Sequence, residues 1–253
     1  MSSGIDRPAG VTAALLLTVG LAALPAPSAA ADPWQAKLRK VEAALRAENW
    51  QRAYHAAHRL VADLCDAVSH HRAPQEPLGS AAAYLALAEA GLGRVDDARW
   101  HWRTARQLFP EVRRFDLGPH PAAAAVLAAP AEPAPGEPAP VDLDRGPRPG
   151  VVPPQRLDPD GPVVQLTRGL RRSRLLVNVR AQVGADGVLR EPSLLSAGDP
   201  AVLFVALDVI RQWRYRPATA GGTPVAAYLT VVLDYQTSGP AQRLEMEFVD
   251  QPP

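Results

Sequence analysis

The stretch Asp208-Val-Ile-Arg-Gln-Trp213-Arg214-Tyr215-Arg-Pro217-Ala218 decides the fold, because it carries the end of an amphipathic helix. The helix is predicted to begin at Asp199-Pro200, where an aspartate can cap the first turn and proline can occupy the first helical position at no cost. Apolar residues then recur every three or four positions and predict one buried stripe. The stripe consists of Val202, Val205, Ala206, Val209, Ile210 and Trp213. Pro217 is expected to end the helix.

Runs on both sides of this helix alternate between apolar and polar residues, which is the period of a strand buried on one face. The run at residues 175–183 is followed by Asp186-Gly187, a dipeptide that favours a hairpin, so residues 188–195 are predicted to return as the antiparallel partner. After the helix, a glycine pair leads into a third alternating run at residues 225–235. Helical spacing upstream adds a preceding helix, and the expected unit is α-β-β-α-β. That helix would carry Val163, Leu166 and Leu170.

The order of these elements, together with Trp213, Tyr215 and Pro217, resembles the C-terminal domain of the TonB energy-transducer family. The resemblance covers residues 162–237. It implies a small antiparallel sheet that accepts a short segment of an outer-membrane receptor as an added strand. The matching edge is the run at residues 225–235, and the residues expected to bind the partner are Val225, Tyr228, Thr230 and Val232. Trp213 and Tyr215 are expected to pack in the core rather than contact a ligand.

Between Trp34 and Pro110 the chain is rich in alanine, nearly free of glycine and periodic at the helical repeat. Its second half is similar to a tetratricopeptide repeat, in which small residues let two helices approach and an aromatic residue fills the groove. The residues with that spacing are Ala86, Gly93, Ala98, Trp102, Ala105 and Pro110. The first half keeps only Ala53 in register and is interpreted as a degenerate helical hairpin. A short helix at residues 121–127 is expected to cap this tetratricopeptide-like domain, residues 32–129, with Trp102 in its core.

Residues 130–161 are predicted to be a linker. Eleven prolines fall within residues 130–162, and such a composition favours extended polyproline II and a semi-rigid spacer. The predicted fold is therefore α+β and multi-domain, with the helical domain separated by the spacer from a C-terminal αββαβ domain. The tail at residues 238–253 is expected to stay loose or to add a short strand.

Residues 1–31 have the features of an export signal. Arg7 precedes an apolar run at residues 11–24, which is short for a bilayer span, and small residues suited to cleavage follow it. Cleavage near Ala30 or Ala31 predicts a periplasmic protein, whereas a retained segment would anchor the chain in the inner membrane. Cys65 is the single cysteine and is interpreted as a buried thiol, with an intermolecular disulfide as the alternative.

Catalytic and metal-binding signatures are weak. His55, His58, Cys65 and the pair His70-His71 match no recognised zinc spacing, and the sequence has no phosphate loop or nucleophile elbow. Four acidic residues are interpreted as solvated helix faces: Glu42, Glu48, Glu89 and Asp97. The predicted protein is not an enzyme and needs no cofactor, metal or small-molecule substrate.

Charge gives little indication of a nucleic-acid partner. The net charge is +1, and a local basic cluster is interpreted as a solvated face. The cluster consists of Arg168, Arg171, Arg172 and Arg174.

Two functions stay open. The first is an envelope adaptor that holds one partner on the helical repeats and another on the sheet edge, with outer-membrane receptors among the candidates. The second is an energy transducer that couples an inner-membrane motor to receptor transport. Family transducers retain a membrane helix with a histidine, whereas residues 1–31 contain no histidine, so the adaptor is favoured.

Overall fold

The N-terminal part of the protein is helical. A computed structural model describes residues 32–129, 138–157 and 174–236. The first of these ranges holds five α-helices and one 3-10 helix: α1 (Pro33–Arg46), α2 (Trp50–Ser69), α3 (Glu76–Gly91), α4 (Val95–Leu108), the 3-10 helix (Pro110–Arg114) and α5 (Pro121–Ala128).

Small residues let these helices pack closely. A β-carbon at Gly91 would overlap the indole of Trp50, so α3 and the start of α2 approach at a distance that only glycine allows. Gly93, in the short turn between α3 and α4, has a φ of 75°. Trp102 is buried on α4 and makes an edge contact with the ring of Phe115. The alanines with repeat spacing are all fully buried: Ala53, Ala86, Ala98 and Ala105.

The C-terminal part is built around a four-stranded sheet. Nine strands and one helix follow in chain order: β1 (Val141–Asp142), β2 (Val151–Val152), β3 (Gln155–Arg156), β4 (Arg174–Val183), β5 (Leu189–Leu194), α6 (Pro200–Arg211), β6 (Tyr215–Arg216), β7 (Ala218–Ala220), β8 (Thr223–Val225) and β9 (Ala227–Gln236). The large sheet has the order β1-β9-β4-β5. Two smaller sheets have the orders β2-β7-β8 and β3-β6. In its described ranges the protein is thus a mixed α+β protein with six α-helices and small sheets.

The hairpin between β4 and β5 forms where the Asp-Gly dipeptide predicted it. Asp186 Oδ1 accepts a hydrogen bond from the Val188 amide at 3.1 Å, and Gly187 has a φ of 78°. A β-carbon on Gly187 would overlap the carbonyl oxygen of Tyr215, so the turn lies directly against β6. The inward residues of β4 alternate as expected and are fully buried: Val177, Val179, Ala181 and Val183.

The helix α6 starts as predicted but is buried on two faces. Asp199 Oδ1 caps it by accepting hydrogen bonds from two backbone amides, and Pro200 is its first residue. One face packs on the sheet, and the other, with Phe204, joins the helical core. The single predicted stripe is therefore corrected, because Val205 packs against the helices. The helix also ends at Arg211 rather than at Pro217, and Trp213 lies beyond it. Trp213 and Tyr215 are buried in the core of the sheet.

Part of the predicted spacer is folded into the sheets. Within residues 138–157, β1 pairs with β9, β2 with β7, and β3 with β6. The prediction gave weight to the prolines and missed the β-branched and apolar residues between them. Proline is tolerated beside short edge strands, and all three strands are two residues long.

The helices also pack directly on the sheet instead of being held away from it by a spacer. Trp100 on α4 lies in the core of the sheet, where its Nε1 donates to the Leu207 carbonyl at 3.1 Å. On the surface of the same junction, Arg190 of β5 pairs with Asp96 of α4 at 2.8 Å. The described residues from Pro33 onward therefore belong to one compact unit.

Several predictions concern residues outside the described ranges. They are the export signal at residues 1–31, residues 130–137 of the linker, the helix containing Val163, Leu166 and Leu170, the basic residues Arg168, Arg171 and Arg172, and the tail at residues 238–253. No helix within the described ranges combines the length and apolar character that crossing a bilayer requires.

Candidate functional site

The β5 edge of the large sheet is closed by α4. The side-chain amide of Gln107 donates to the Pro192 carbonyl at 2.8 Å and accepts from the Leu194 amide at 2.7 Å. The Gln107 side chain thus makes the two hydrogen bonds that the backbone of a neighbouring strand would otherwise make. Arg103, one turn earlier on α4, pairs with Glu191. A partner strand has no access to β5 at these positions.

The opposite edge of the sheet belongs to β9. Its inner side pairs with β4 along the full length of both strands, from Ala227 opposite Val183 to Gln236 opposite Arg174. Its outer side pairs with β1 at two positions only, in parallel register. Past Tyr228, no strand within the described ranges lies along this outer side. We call residues 229–233 of this side the open edge.

The backbone direction at the open edge follows from the bonds to β1. The carbonyl of Ala226 accepts from the Val141 amide at 2.8 Å, and that of Tyr228 accepts from the Leu143 amide at 3.0 Å. Successive residues of a strand alternate in direction, so Thr230 and Val232 also direct their backbone groups outward. The donor and acceptor of Thr230 are therefore the first pair beyond β1.

The four residues expected to bind the partner do not lie together. Tyr228, Thr230 and Val232 are on β9, with half-buried side chains on the face opposite to the buried Val231. Val225 lies instead in β8, where it is buried and pairs with Ala218. The glycine turn had suggested one continuous strand from residue 225, whereas the chain leaves β8 at Val225 and enters β9 at Ala227.

A cation that the sequence analysis did not single out lies beside the open edge. Arg180, opposite Thr230 on β4, places its guanidinium 4.4 Å from the centre of the Tyr228 ring. Its Nε lies 2.9 Å from Asp144 Oδ2, and its Nη2 lies 3.2 Å from Asp142 Oδ2. Burial alone would lower the pKa of Arg180, but hydrogen bonds and charge from the two aspartates raise it above its usual value. The alternation in Val141-Asp142-Leu143-Asp144 is the sequence signal that could have identified this contact.

A second polar cluster is buried between the helices and α6. His101 Nδ1 lies 2.6 Å from Glu89 Oε2, and Arg211 pairs with both Asp97 and Asp208. The interpretation of Glu89 as a solvated residue is corrected, because only 2 % of its surface is exposed. The spacing of apolar residues in α3 could not predict that Glu89 is buried, because α3 is buried on nearly all of its faces and has no polar face for comparison.

The charge states in this cluster are coupled. Burial would lower the pKa of His101, but the charge of Glu89 and hydrogen bonds to Asp208 and Glu89 raise it to about 9. Burial would raise the pKa of Asp208, but His101 and Arg211 hold it well below its usual range. A charged imidazole between two carboxylates thus joins α3, α4 and α6.

The candidate metal ligands of the sequence analysis have other contacts. His55 bonds to Gln51 at 2.9 Å, and its ring and that of His58 both contact Tyr54. Cys65 is a buried free thiol, and burial, with the charges of two aspartates, raises its pKa to about 12. Within the described ranges, no group of three or more His, Cys, Asp or Glu side chains is arranged to hold a metal ion.

Comparisons of the chain with protein-family models, curated proteins and solved structures find no match.

Proposed function

We propose that this chain is a non-enzymatic protein–protein interaction module that binds an extended partner segment as an added strand on β9. The observation that carries the proposal is the open edge. There β9 is fully paired on its inner side, while on its outer side the described chain provides no strand beyond Tyr228. Outward amides and carbonyls of an edge strand are a template for another chain, because a partner strand satisfies them by backbone bonds.

The closed edge on the other side of the sheet supports the same assignment. Gln107 already satisfies backbone groups of β5, so a partner strand would gain little there. One edge of the sheet is thus covered by a side chain and the other is not, so a partner strand can add only to β9.

The arrangement of elements supports a finer classification, which we include in the proposal. The order β4, β5, α6, β9 is the order that the resemblance to the TonB C-terminal domain implies, and the pair α3 and α4 has tetratricopeptide-like spacing. Because the helices pack on the sheet through Trp100, a second partner on the helices would be held in fixed relation to the strand on β9. This is the geometry of an adaptor.

A proline scan of β9 tests the proposal. Thr230→Pro removes an outward donor and leaves the inner ladder to β4 intact, so pull-down of envelope partners by the full chain should fall at least roughly tenfold. Thr230→Ala keeps the donor and should bind like the wild type. Val231→Pro removes an inward donor and should instead unfold the sheet. Equal binding by a folded Thr230→Pro variant would refute strand addition at the open edge.

We further propose that the chain is exported and acts in the periplasm, with envelope proteins as partners. The basis is the signal-like pattern of residues 1–31. Intact-mass measurement on protein from its native envelope should give a chain that begins at Ala31 or Asp32. A chain that retains Met1 in the membrane fraction would instead favour energy transduction, because a motor can act only on a retained anchor.

A further inference from the structure

We propose that residues 140–144 are a built-in occupant of the binding edge, and that the partner is an extended segment with the same alternation of aliphatic and acidic residues, which displaces them. The inference rests on the proposed function, because it concerns the regulation and specificity of the same edge. We call residues 140–144 the cis segment.

The cis segment already binds β9 in the way expected of a partner. It lies parallel to β9, with Val141 opposite Ala227 and Asp142 opposite Tyr228. The Val141 amide donates to the carbonyl of Ala226, just before β9, at 2.8 Å, and the Leu143 amide donates to the carbonyl of Tyr228 at 3.0 Å. It occupies the first positions of the outer side and stops where the open edge begins.

The two faces of the cis segment meet different surfaces. Val141 and Leu143 pack against a small apolar cluster formed by Ala218, Val225 and Ala227. On the other face, Asp142 and Asp144 both pair with Arg180. The edge therefore selects apolar side chains at one set of alternate positions and carboxylates at the other. A partner of this chemistry would reproduce the contacts that the cis segment makes with the apolar cluster and with Arg180.

A longer partner has an advantage over the cis segment. The cis segment is tethered to the sheet and therefore acts at a high effective concentration. A competitor can bind only while the edge is free, so its apparent affinity is its intrinsic affinity multiplied by the fraction of time that the edge is free. However, β1 is only two residues long. A parallel partner that starts at the same place and continues past Tyr228 also bonds to Thr230 and Val232, which the cis segment does not reach. A longer partner therefore displaces the cis segment, because it makes backbone hydrogen bonds that the cis segment does not make.

Two variants release the cis segment in different ways. Leu143→Pro removes the amide that donates to the Tyr228 carbonyl, and Leu143→Ala is its matched control because it keeps that amide. The double variant Asp142→Asn with Asp144→Asn weakens the pairing with Arg180 without changing the backbone. If Leu143→Pro fails to fold, the double variant carries the test.

The first measurement is amide hydrogen exchange on the full chain. In the wild type, the amides of Val141 and Leu143 should be protected. In the double variant, their exchange should be at least tenfold faster. Unprotected amides in the wild type would overturn the inference and leave the proposed function standing.

The second measurement uses a labelled synthetic peptide with residues 139–144 of this chain followed by Val-Asp-Val-Asp, and a scrambled peptide of equal composition. Fluorescence anisotropy should give at least tenfold tighter binding to either released variant than to the wild type, and Thr230→Pro in the released background should abolish it. Equal affinity for wild type and released variants would overturn the inference alone. No binding to a variant whose exchange shows release would overturn both proposals. Concentration-dependent dimerisation of the released variants, seen by sedimentation, would identify a second copy as the occupant and overturn the assigned partner.

Discussion

His101 on α4 and Asp208 on α6 stand 107 positions apart in the sequence, yet the imidazole Nε2 lies 3.1 Å from the carboxylate Oδ1. The imidazole also contacts Glu89 on α3, so three helices meet at one ionisable ring. Asp97 of α4 and Arg211 of α6 complete the charged surroundings. The protonation of His101 therefore affects how strongly α3 and α4 hold α6, the helix that packs on the sheet.

The stability of the protein should decrease as the pH rises through about 9. In the folded protein the pKa of His101 is raised to about 9, above the value of an unfolded histidine. The charged ring thus contributes stability that is fully present below about pH 6.5 and is lost as pH rises through the folded value, a total of about 3 kcal/mol. Urea unfolding of the full chain between pH 6 and 10 measures the loss.

His101→Gln is the control for this dependence, because glutamine does not titrate. The difference in unfolding free energy between the wild type and this variant should shrink as the pH rises from 6 to 10. A difference that stays constant over that range would mean that His101 is neutral in the folded protein.

Trp213→Ala should destabilise the protein by about 3–5 kcal/mol, the usual range for deleting a large buried aromatic side chain. Trp213 is buried in the sheet core, and the guanidinium of Arg156 lies 4.0 Å from its ring centre. Within the described residues its indole nitrogen has no hydrogen-bond partner. Trp213→Phe should therefore cost much less. Urea unfolding of the full chain compares the two, and similar losses would show that the indole ring itself, rather than any aromatic ring, is required at this position.

Gln107→Ala should cost about 1–3 kcal/mol, because it leaves backbone groups of Pro192 and Leu194 without their side-chain partner. It also opens the β5 edge, so the variant should self-associate at high concentration. Denaturant unfolding and sedimentation measure the two effects. Arg106→Ala, a neighbouring surface change that removes only a cation–π contact with Trp102 at 5.8 Å, should cost much less and should not cause association. A monomeric, fully stable Gln107→Ala variant would exclude edge protection by Gln107.

Gly187→Ala should destabilise the protein more than Gly222→Ala does. Both glycines have positive φ, which costs a residue with a β-carbon about 1–3 kcal/mol. Only at Gly187 would the new β-carbon also overlap a backbone atom, the carbonyl oxygen of Tyr215, whereas nothing lies within 4 Å at Gly222. The difference in Tm between the two variants measures the cost of this overlap. Equal shifts in Tm would show that the hairpin and β6 separate easily.

Local signals in the sequence were sufficient for three strands of the large sheet, β4, β5 and β9, and for the start of α6. Alternation predicted β4, Asp186-Gly187 predicted its hairpin, and Asp199-Pro200 predicted the start of α6. Each of these depends on residues close together in the chain, so no knowledge of the tertiary structure was needed. The strand β9 was predicted for the same reason, but its predicted start was wrong. Val225 belongs to β8, and β9 begins at Ala227.

Contacts between distant segments could not be predicted in this way. The charged partners of His101 come from two other helices, and nothing near Glu89 indicates burial. The cis segment was hidden because the prolines around Val141 dominate the local composition. Its acidic and aliphatic alternation covers only four residues, too few to define a strand without knowledge of Arg180 and Tyr228.

The position of Phe204 has a consequence for how the protein is made. Its ring stacks on His101, with centroids 5.9 Å apart, and belongs to the helical core although it lies on α6. A ribosome adds roughly 5–20 residues per second, so the helices emerge several seconds before Phe204 exists. During that interval the surface that Phe204 covers in the folded protein stays exposed. A chaperone that binds the incompletely folded chain should therefore engage it while α4 lacks this partner and be released once α6 has packed against the helices.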